Sequence, residues 1–191
     1  YGLLRFMDNW ETAAPKVRIF NPDLQTHGWE SKYTVLVLLC PEMPFCVASV
    51  RGELNRRNIK IHTIASCNLA TTRDSDGRLQ QVVAGHTQEE SQSNESLMYF
   101  EVGRHSHPET LAELRDTLTD ILIEVTVVVS DFPAVRERLR NAIALVRESS
   151  CVIQSHRDEA IKFLKWLESN HITALGYQYL EVEGQGADLS V

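Results

Sequence analysis

The stretch that most limits what this chain can fold into is Tyr33–Ile64, YTVLVLLCPEMPFCVASVRGELNRRNIKIHTI. Tyr33 to Leu39 carries no charge and is rich in β-branched and aromatic side chains, which predicts a buried strand. Pro41 and Pro44 bracket a short turn, and Pro44 suits the first turn of a helix, where its missing amide has no partner to lose. Val47, Val50 and Leu54 then recur at helical spacing with Cys46 beside them, while Ser49, Glu53, Arg56 and Arg57 take the opposite face. Asn58 fits the helix end because asparagine tolerates the left-handed conformation. Ile59 and Ile61 alternate with Lys60 and His62, the pattern of a strand half in water. Strand, helix and strand in so few residues form a βαβ unit with a right-handed crossover, and the two strands are expected to lie side by side.

The remaining segments build outward from this unit. Residues 1–16 hold Leu3, Leu4, Phe6, Met7 and Trp10, the apolar side of a helix end that Pro15 terminates. Val17–Phe20 is a short strand, and Asn21-Pro22-Asp23 is a turn. The strand after Asn58 continues toward Leu69, and Arg73–Arg78 contains Asp76-Gly77, a hairpin dipeptide, with Leu79–Ala84 as the return arm. Gly85–Glu95 is polar and reads as a mobile loop. Ser96–Val102 is the next strand. Pro108 starts a helix whose stripe is Leu111, Leu114, Leu118, Ile121 and Leu122. Residues 125–129, VTVVV, are open between strand, from their β-branching, and continued helix, from the lack of a turn signal. Phe132-Pro133 is expected to break the chain before a second helix carrying Val135, Leu139, Ile143 and Val146. A further helix holds Ala160, Phe163, Leu164 and Leu167, with Asn170 as its stop. Ile172–Val182 reads as a final strand and residue 184 onward as a tail.

Without the hairpin arm and the extra helices, the order is β-α-β-β-α-β. This predicts an α+β fold of the ferredoxin-like kind, an antiparallel sheet with helices on one face. The expected organisation is an N-terminal extension at 1–32, a main domain at 33–183 with a helical insertion around 133–169, and a tail at 184–191. An exposed sheet edge is expected near 96–102 or 172–180, where self-pairing could occur.

The 191 residues are 43% hydrophobic, enough for a sizeable core, and carry a net charge of −7. That acidity argues against a generic nucleic-acid or anionic-membrane surface. No apolar run approaches the roughly 20 residues of a membrane span, and no signal peptide is visible. The four cysteines, at 40, 46, 67 and 151, include no C-x-x-C pair and read as free thiols rather than disulfides. Asn94-Glu95-Ser96 is a glycosylation sequon by form alone. The chain begins at Tyr1 and is expected to be a piece of a longer protein.

Several stretches together resemble the N-terminal region of the large bacterial NAD-specific glutamate dehydrogenases. They are KVRIFNPDLQTHGWES at 16–31, the whole of 33–64, DGRL at 76–79, ESLMYFEV at 95–102 and FLKWLESNHITALGY at 163–177. In that family this region resembles an ACT-type domain, a module that often binds amino acids and associates through its sheet. The resemblance favours helix through the valines at 125–129. It implies a cytoplasmic, non-catalytic regulatory or assembly module. Its partners would be the rest of its own polypeptide and further copies in a homo-oligomer, with neither nucleic acid nor membrane. The parent would convert L-glutamate, NAD and water to 2-oxoglutarate, ammonia and NADH. NAD belongs to the parent's catalytic domains and no cofactor to this fragment; the alternative is a pure scaffold or oligomerisation domain without a ligand. The family usually shows an acidic residue just before M-P-F and another in the following helix; here Pro41-Glu42 precedes Met43. Cys40 stands near the first position and Ala48 near the second, while Ala65-Ser66-Cys67 replaces the usual His-Pro.

The residues themselves offer little catalytic chemistry. No G-x-G-x-x-G follows a strand, so the phosphate-binding turn of a dinucleotide site is missing. His62, His105 and His107 lack an evident third metal ligand. Cys40 and Cys46 with His62 would make a thiol and base, but both cysteines fall in the core pattern and read as structural. Arg136, Arg138, Arg140 and Arg147 read as a salt-bridged face. What remains is the turn at 40–45. A strand end followed by a helix start exposes backbone amides that suit a carboxylate. Ser66 and Asn68 on the neighbouring strand add polar partners, and the resemblance places ligands at this junction. The candidate effector-binding set is therefore Cys40, Glu42, Met43, Phe45, Ser66 and Asn68. The simpler account is that the prolines remove two amides, Phe45 fills the gap and nothing binds.

Overall fold

In the computed structural model, residues 2–8, 10, 14–89, 92–149, 153–178 and 180 are described. Short helix α1 (Gly2–Met7) leads to β1 (Lys16–Phe20) and α2 (Leu24–His27), then β2 (Thr34–Pro41), α3 (Cys46–Arg56), β3 (Ile61–Arg73), β4 (Leu79–Ala84) and β5 (Ser93–Val102). Helices α4 (Pro108–Glu148) and α5 (Gln154–Trp166) follow, the latter running into a kinked turn at Leu167–His171. The chain divides into two units, Tyr1–Thr126 and Val127–Val191, and α4 begins in the first and continues into the second.

The first unit is built on a five-stranded antiparallel sheet in the order β1-β2-β5-β3-β4. β2 and β3 share this sheet but are not neighbours. β5 lies between them and pairs antiparallel with both, which corrects the expectation of two adjacent parallel strands. An antiparallel partner on each side hydrogen-bonds slightly better than a direct parallel pair, so the βαβ unit is split. β5 is thus a central strand, and the sheet edges are β1 and β4 rather than residues 96–102. The segment expected as an N-terminal extension supplies β1, whose register runs from Lys16 opposite Leu39 to Phe20 opposite Val35. That strand occupies the outer side of β2, where the expected final strand would pair. Of Ile172–Val182, the described residues 172–178 and 180 form no strand, and 179, 181 and 182 lie outside the described residues, as does the tail at 184–191. Asn170, at φ 62°, ends the helical run before them.

β2 is buried on both faces, as its uncharged run predicts. On one face Leu36, Leu38, Cys40, Met98, Phe100 and Val102 pack beneath Val50 and Leu54 of α3 and Leu114, Leu118 and Leu122 of α4. On the other, Val35, Val37, Leu39 and Leu69 pack against Phe6, Met7 and Trp10. Asn58 has φ 56°, as expected of the residue closing α3. Gly77, at φ 76°, makes the β3–β4 turn that Asp76-Gly77 predicts.

α4 stays helical through 125–129 and through Pro133, so the expected break at Phe132-Pro133 does not occur. Proline forgoes its own amide bond and crowds the carbonyl four residues back, but Ala134 to Arg140 include strong helix formers that carry the helix on. In the second unit Arg140 pairs with Glu168 at 2.7 Å and Arg138 lies over the Tyr177 ring. Ile143 is the buried hydrophobic residue there among those described.

An ion cluster joins α3 to α4 within the first unit. Arg56 and Arg57 donate to the Glu53 carboxylate at 2.6–2.7 Å, and Arg57 reaches Glu113 at 2.9 Å and the Thr117 hydroxyl at 2.8 Å. The hydrogen bonds from Arg56 and Arg57 hold the Glu53 carboxyl down to about 2, from an ordinary 4.5. A depressed carboxyl contributes stability that is full above the unfolded value and is lost as pH falls from about 4.5 through about 2. Urea midpoints measured between neutral pH and this window should fall with acid, and Glu53→Gln should flatten that part of the profile. Asp23 and Asp74, also held low by backbone amides, will keep a residual slope.

Candidate functional site

Where β2 ends, the chain turns sharply into α3 and leaves an open cleft of about 640 Å³. Glu42 follows Pro41, and its backbone amide donates to the Asn94 carbonyl at 2.9 Å, pinning the start of the turn to β5. Phe45 sits just before the helix at φ 73°, a left-handed conformation that a bulky side chain adopts at a cost. Its carbonyl accepts the Ser49 amide at 2.8 Å. No side chain caps α3, so the amides of its first turn have no side-chain acceptor where Cys46, Val47 and Ala48 border the cleft.

The opposite wall comes from the sheet. β3 contributes Ser66 and Asn68, β5 contributes Asn94 and Ser96, and the segment after β4 brings in His86. Glu42 is the hub: one carboxylate oxygen accepts from the Asn68 side-chain amide, and the other lies 2.6 Å from His86 Nδ1. Asn94 braces the His86 segment by bonding both the amide and the carbonyl of Thr87, at 2.8 and 2.9 Å. The cleft thus presents a carboxylate on one side and the positive end of a helix on the other.

Of the residues singled out from sequence, Glu42, Met43, Phe45, Ser66 and Asn68 line this cleft together. Cys40 does not. It is fully buried behind the turn, with its thiol against Cys46. Phe45 does not plug the gap either; it is 52% exposed at the cleft edge, which removes the simplest reason for an empty turn. His86 and Asn94 were missed because Gly85–Glu95 reads as a mobile polar loop, and Ser96 because it opens an expected strand whose place between β2 and β3 has no local sequence signal. The register signal was available: extending the β3–β4 hairpin from Asp76-Gly77 places Gly85 opposite Asn68, where its amide donates to the Asn68 carbonyl at 2.8 Å.

The other polar groups stay apart. His62 stacks on Tyr33, and the His105 backbone joins Asn21 and Thr34. Among the described residues, no three His, Cys, Asp or Glu side chains gather as a metal site. No described helix is long and apolar enough to cross a membrane. A larger groove of about 1240 Å³ covers part of the opposite sheet face, bordered by Leu3, Leu4, Phe6, Phe20, Trp29 and Tyr99 among others. Its exposed lining is more apolar than polar, although Arg5, Asp8, Arg18 and His27 also border it.

Comparison with known proteins agrees with this architecture. A family model described as the glutamate dehydrogenase ACT1 domain matches residues 1–118. The chain is 43% identical over 185 residues to an NAD-specific glutamate dehydrogenase of Halomonas elongata, covering 95% of this chain and 11% of that protein. It is 35% identical over 179 residues to the enzyme of the same name from Pseudomonas aeruginosa, covering 93% of this chain and again 11% of the relative. The chain therefore spans about a tenth of the length of these curated relatives. With a sheet and helices of the α+β, ACT-type kind and these matches over nearly its whole length, the chain belongs to the NAD-specific glutamate dehydrogenase family and carries that family's ACT1 domain.

Proposed function

We propose that this chain is the N-terminal regulatory module of a large NAD-dependent glutamate dehydrogenase and senses an amino acid in the β2–α3 cleft. The parent would oxidatively deaminate L-glutamate to 2-oxoglutarate and ammonia with NAD, using domains outside this chain, in the cytoplasm. One observation carries the reading: Glu42 and the uncapped start of α3 face the same cleft. An amino acid's carboxylate suits the helix amides, and its ammonium suits Glu42 in place of His86. Sensing would require the ligand to bind one state of the parent better than another.

A thermal-shift panel of amino acids tests this, because a ligand that binds only the folded chain raises its apparent stability. At a concentration of 100 Kd the gain is about 2.7 kcal/mol. Glu42→Gln should abolish the shift while leaving the unliganded melting temperature within a few degrees. No shift across the panel would favour the second reading, a scaffold that docks on the rest of its own polypeptide or on another copy. That reading has its own support in the second unit, where Leu145, Ile153, Phe163, Trp166, Leu175 and Tyr177 are all more than two-fifths exposed. Apolar side chains exposed in such number suit burial against more protein.

A further inference from the structure

The β2–α3 turn holds a pair of thiols that the cleft reading leaves unused. Cys40 near the end of β2 and Cys46 at the first residue of α3 place their sulfurs 3.5 Å apart, with the Cys40 thiol donating to Cys46. Cys46 borders the cleft and is 3% exposed, so of the two sulfurs its own lies on the cleft side of the pair. Cys40 lies behind it, fully buried, with its sulfur also 4.0 Å from the Ser96 carbonyl. Only the short turn containing left-handed Phe45 separates the two, which leaves a local joint for the sulfurs to close. Cys67 is exposed on β3, where strand alternation puts it on the face opposite Ser66 and Asn68, away from the pair.

We propose that Cys40 and Cys46 are a reversible dithiol–disulfide site, oxidised by a peroxide that enters through the cleft and reduced again by a small dithiol. The division of labour follows from position. Cys46 sits at a helix N-terminus, where a thiolate is favoured. The hydrogen bond from Cys40 draws the Cys46 thiol below its ordinary range against the opposing effect of burial, while the same bond and burial push Cys40 up. The Cys46 thiolate attacks one peroxide oxygen, the O–O bond breaks and hydroxide leaves, giving a sulfenic acid at Cys46. The Cys40 sulfur then attacks the Cys46 sulfur, the S–O bond breaks, and water leaves with the Cys40 proton. The two thiols together lose two electrons and two protons, and the peroxide becomes two molecules of water. The site does not depend on an amino acid binding in the cleft.

The test uses the 191-residue chain with Cys67→Ser and Cys151→Ser, exposed to hydrogen peroxide, then unfolded, alkylated and digested with trypsin. Cleavage after Lys32 and Arg51 leaves both cysteines in one peptide, 33–51. The expected result is that this peptide is recovered lighter by two hydrogens and without alkyl groups, and that dithiothreitol restores double alkylation. The same peptide from the unsubstituted chain should behave identically, so the result does not hinge on the folding of a variant. Cys40→Ser should instead leave a Cys46 sulfenic acid that dimedone traps. Full alkylation of both cysteines after peroxide, or oxidation of Cys46 to sulfinic acid with Cys40 still a free thiol, would overturn the proposal.

Discussion

Glu95→Ala is expected to cost the first unit about 3–5 kcal/mol of folding free energy, the range for removing one partner of a buried ion pair. Glu95 lies on β5 and pairs with Arg73 of β3 at 2.7 Å, with side-chain exposures of 1% and 6%. Arg73 also donates to the carbonyls of Met7 and Gly77, at 2.9 and 2.8 Å, and stacks over the Trp10 ring. One guanidinium therefore ties α1, the Trp10 segment and the β3–β4 hairpin to the sheet. Without Glu95 that charge stays buried with only neutral acceptors, and the Thr71 hydroxyl keeps only the longer bond to the Ser93 carbonyl, at 3.3 Å. Urea denaturation reads the loss as a lowered midpoint with little change in slope. Arg73→Ala should cost a similar amount, and the double variant should cost clearly less than the two added together, because both remove the same pair. Additive losses would show that the pair is not the source of the effect.

Phe100→Ala is the second large effect, at about 3–5 kcal/mol for a buried aromatic removed from a packed core. Phe100 is fully buried on the helix-facing side of β5, opposite Leu36 of β2 and Ile64 of β3. It fills space beneath α3 and α4 that no small movement of a rigid sheet can close. Ile64→Ala provides the contrast. Ile64 shares the same register position but is 40% exposed, so its loss should stay under about 1 kcal/mol. Denaturation of the two variants side by side tests whether the core lies under the helices, as the burial pattern holds.

The two faces of β5 also explain what could be read from sequence. Runs with a clean period were legible: the uncharged β2, the α3 stripe of Val50 and Leu54, the Asp76-Gly77 turn and the α4 spacing of Leu114, Leu118 and Leu122. Each is set by local chemistry, so neighbouring residues suffice to find it. Strand order was not legible, because the insertion of β5 between β2 and β3 depends on pairing between segments far apart in the chain. The same gap misplaced the last strand. The segment from Ile172 to Tyr177 has enough apolar residues to pass for a strand, but β1 already pairs with the outer side of β2, and pattern alone does not say which of two suitable segments takes a shared edge. Pro133 misled in the opposite direction, since a proline inside a long helix removes one bond without ending it.

The cleft was half legible for a related reason. Glu42, Met43 and Phe45 follow from the turn itself, and Ser66 and Asn68 from the neighbouring strand. His86 and Asn94 come from a segment whose polarity resembles a free loop. What orders it is the pair of bonds between Asn94 and Thr87 and the contact of His86 with Glu42, and neither has a sequence signature. Cys40 failed as a lining residue because strand alternation turns it into the helix-facing core, where its neighbour is Cys46.

The central claim, that the β2–α3 junction is an amino-acid sensor, is tested most directly by titrating the isotope-labelled chain with L-amino acids and following backbone amide resonances. The account predicts that one of them shifts Cys46, Val47 and Ala48 together with Glu42, Asn68 and His86, saturably, and that Glu42→Gln loses the response. Titrations that move none of these amides, or that move only residues bordering the apolar groove on the other sheet face, would contradict it.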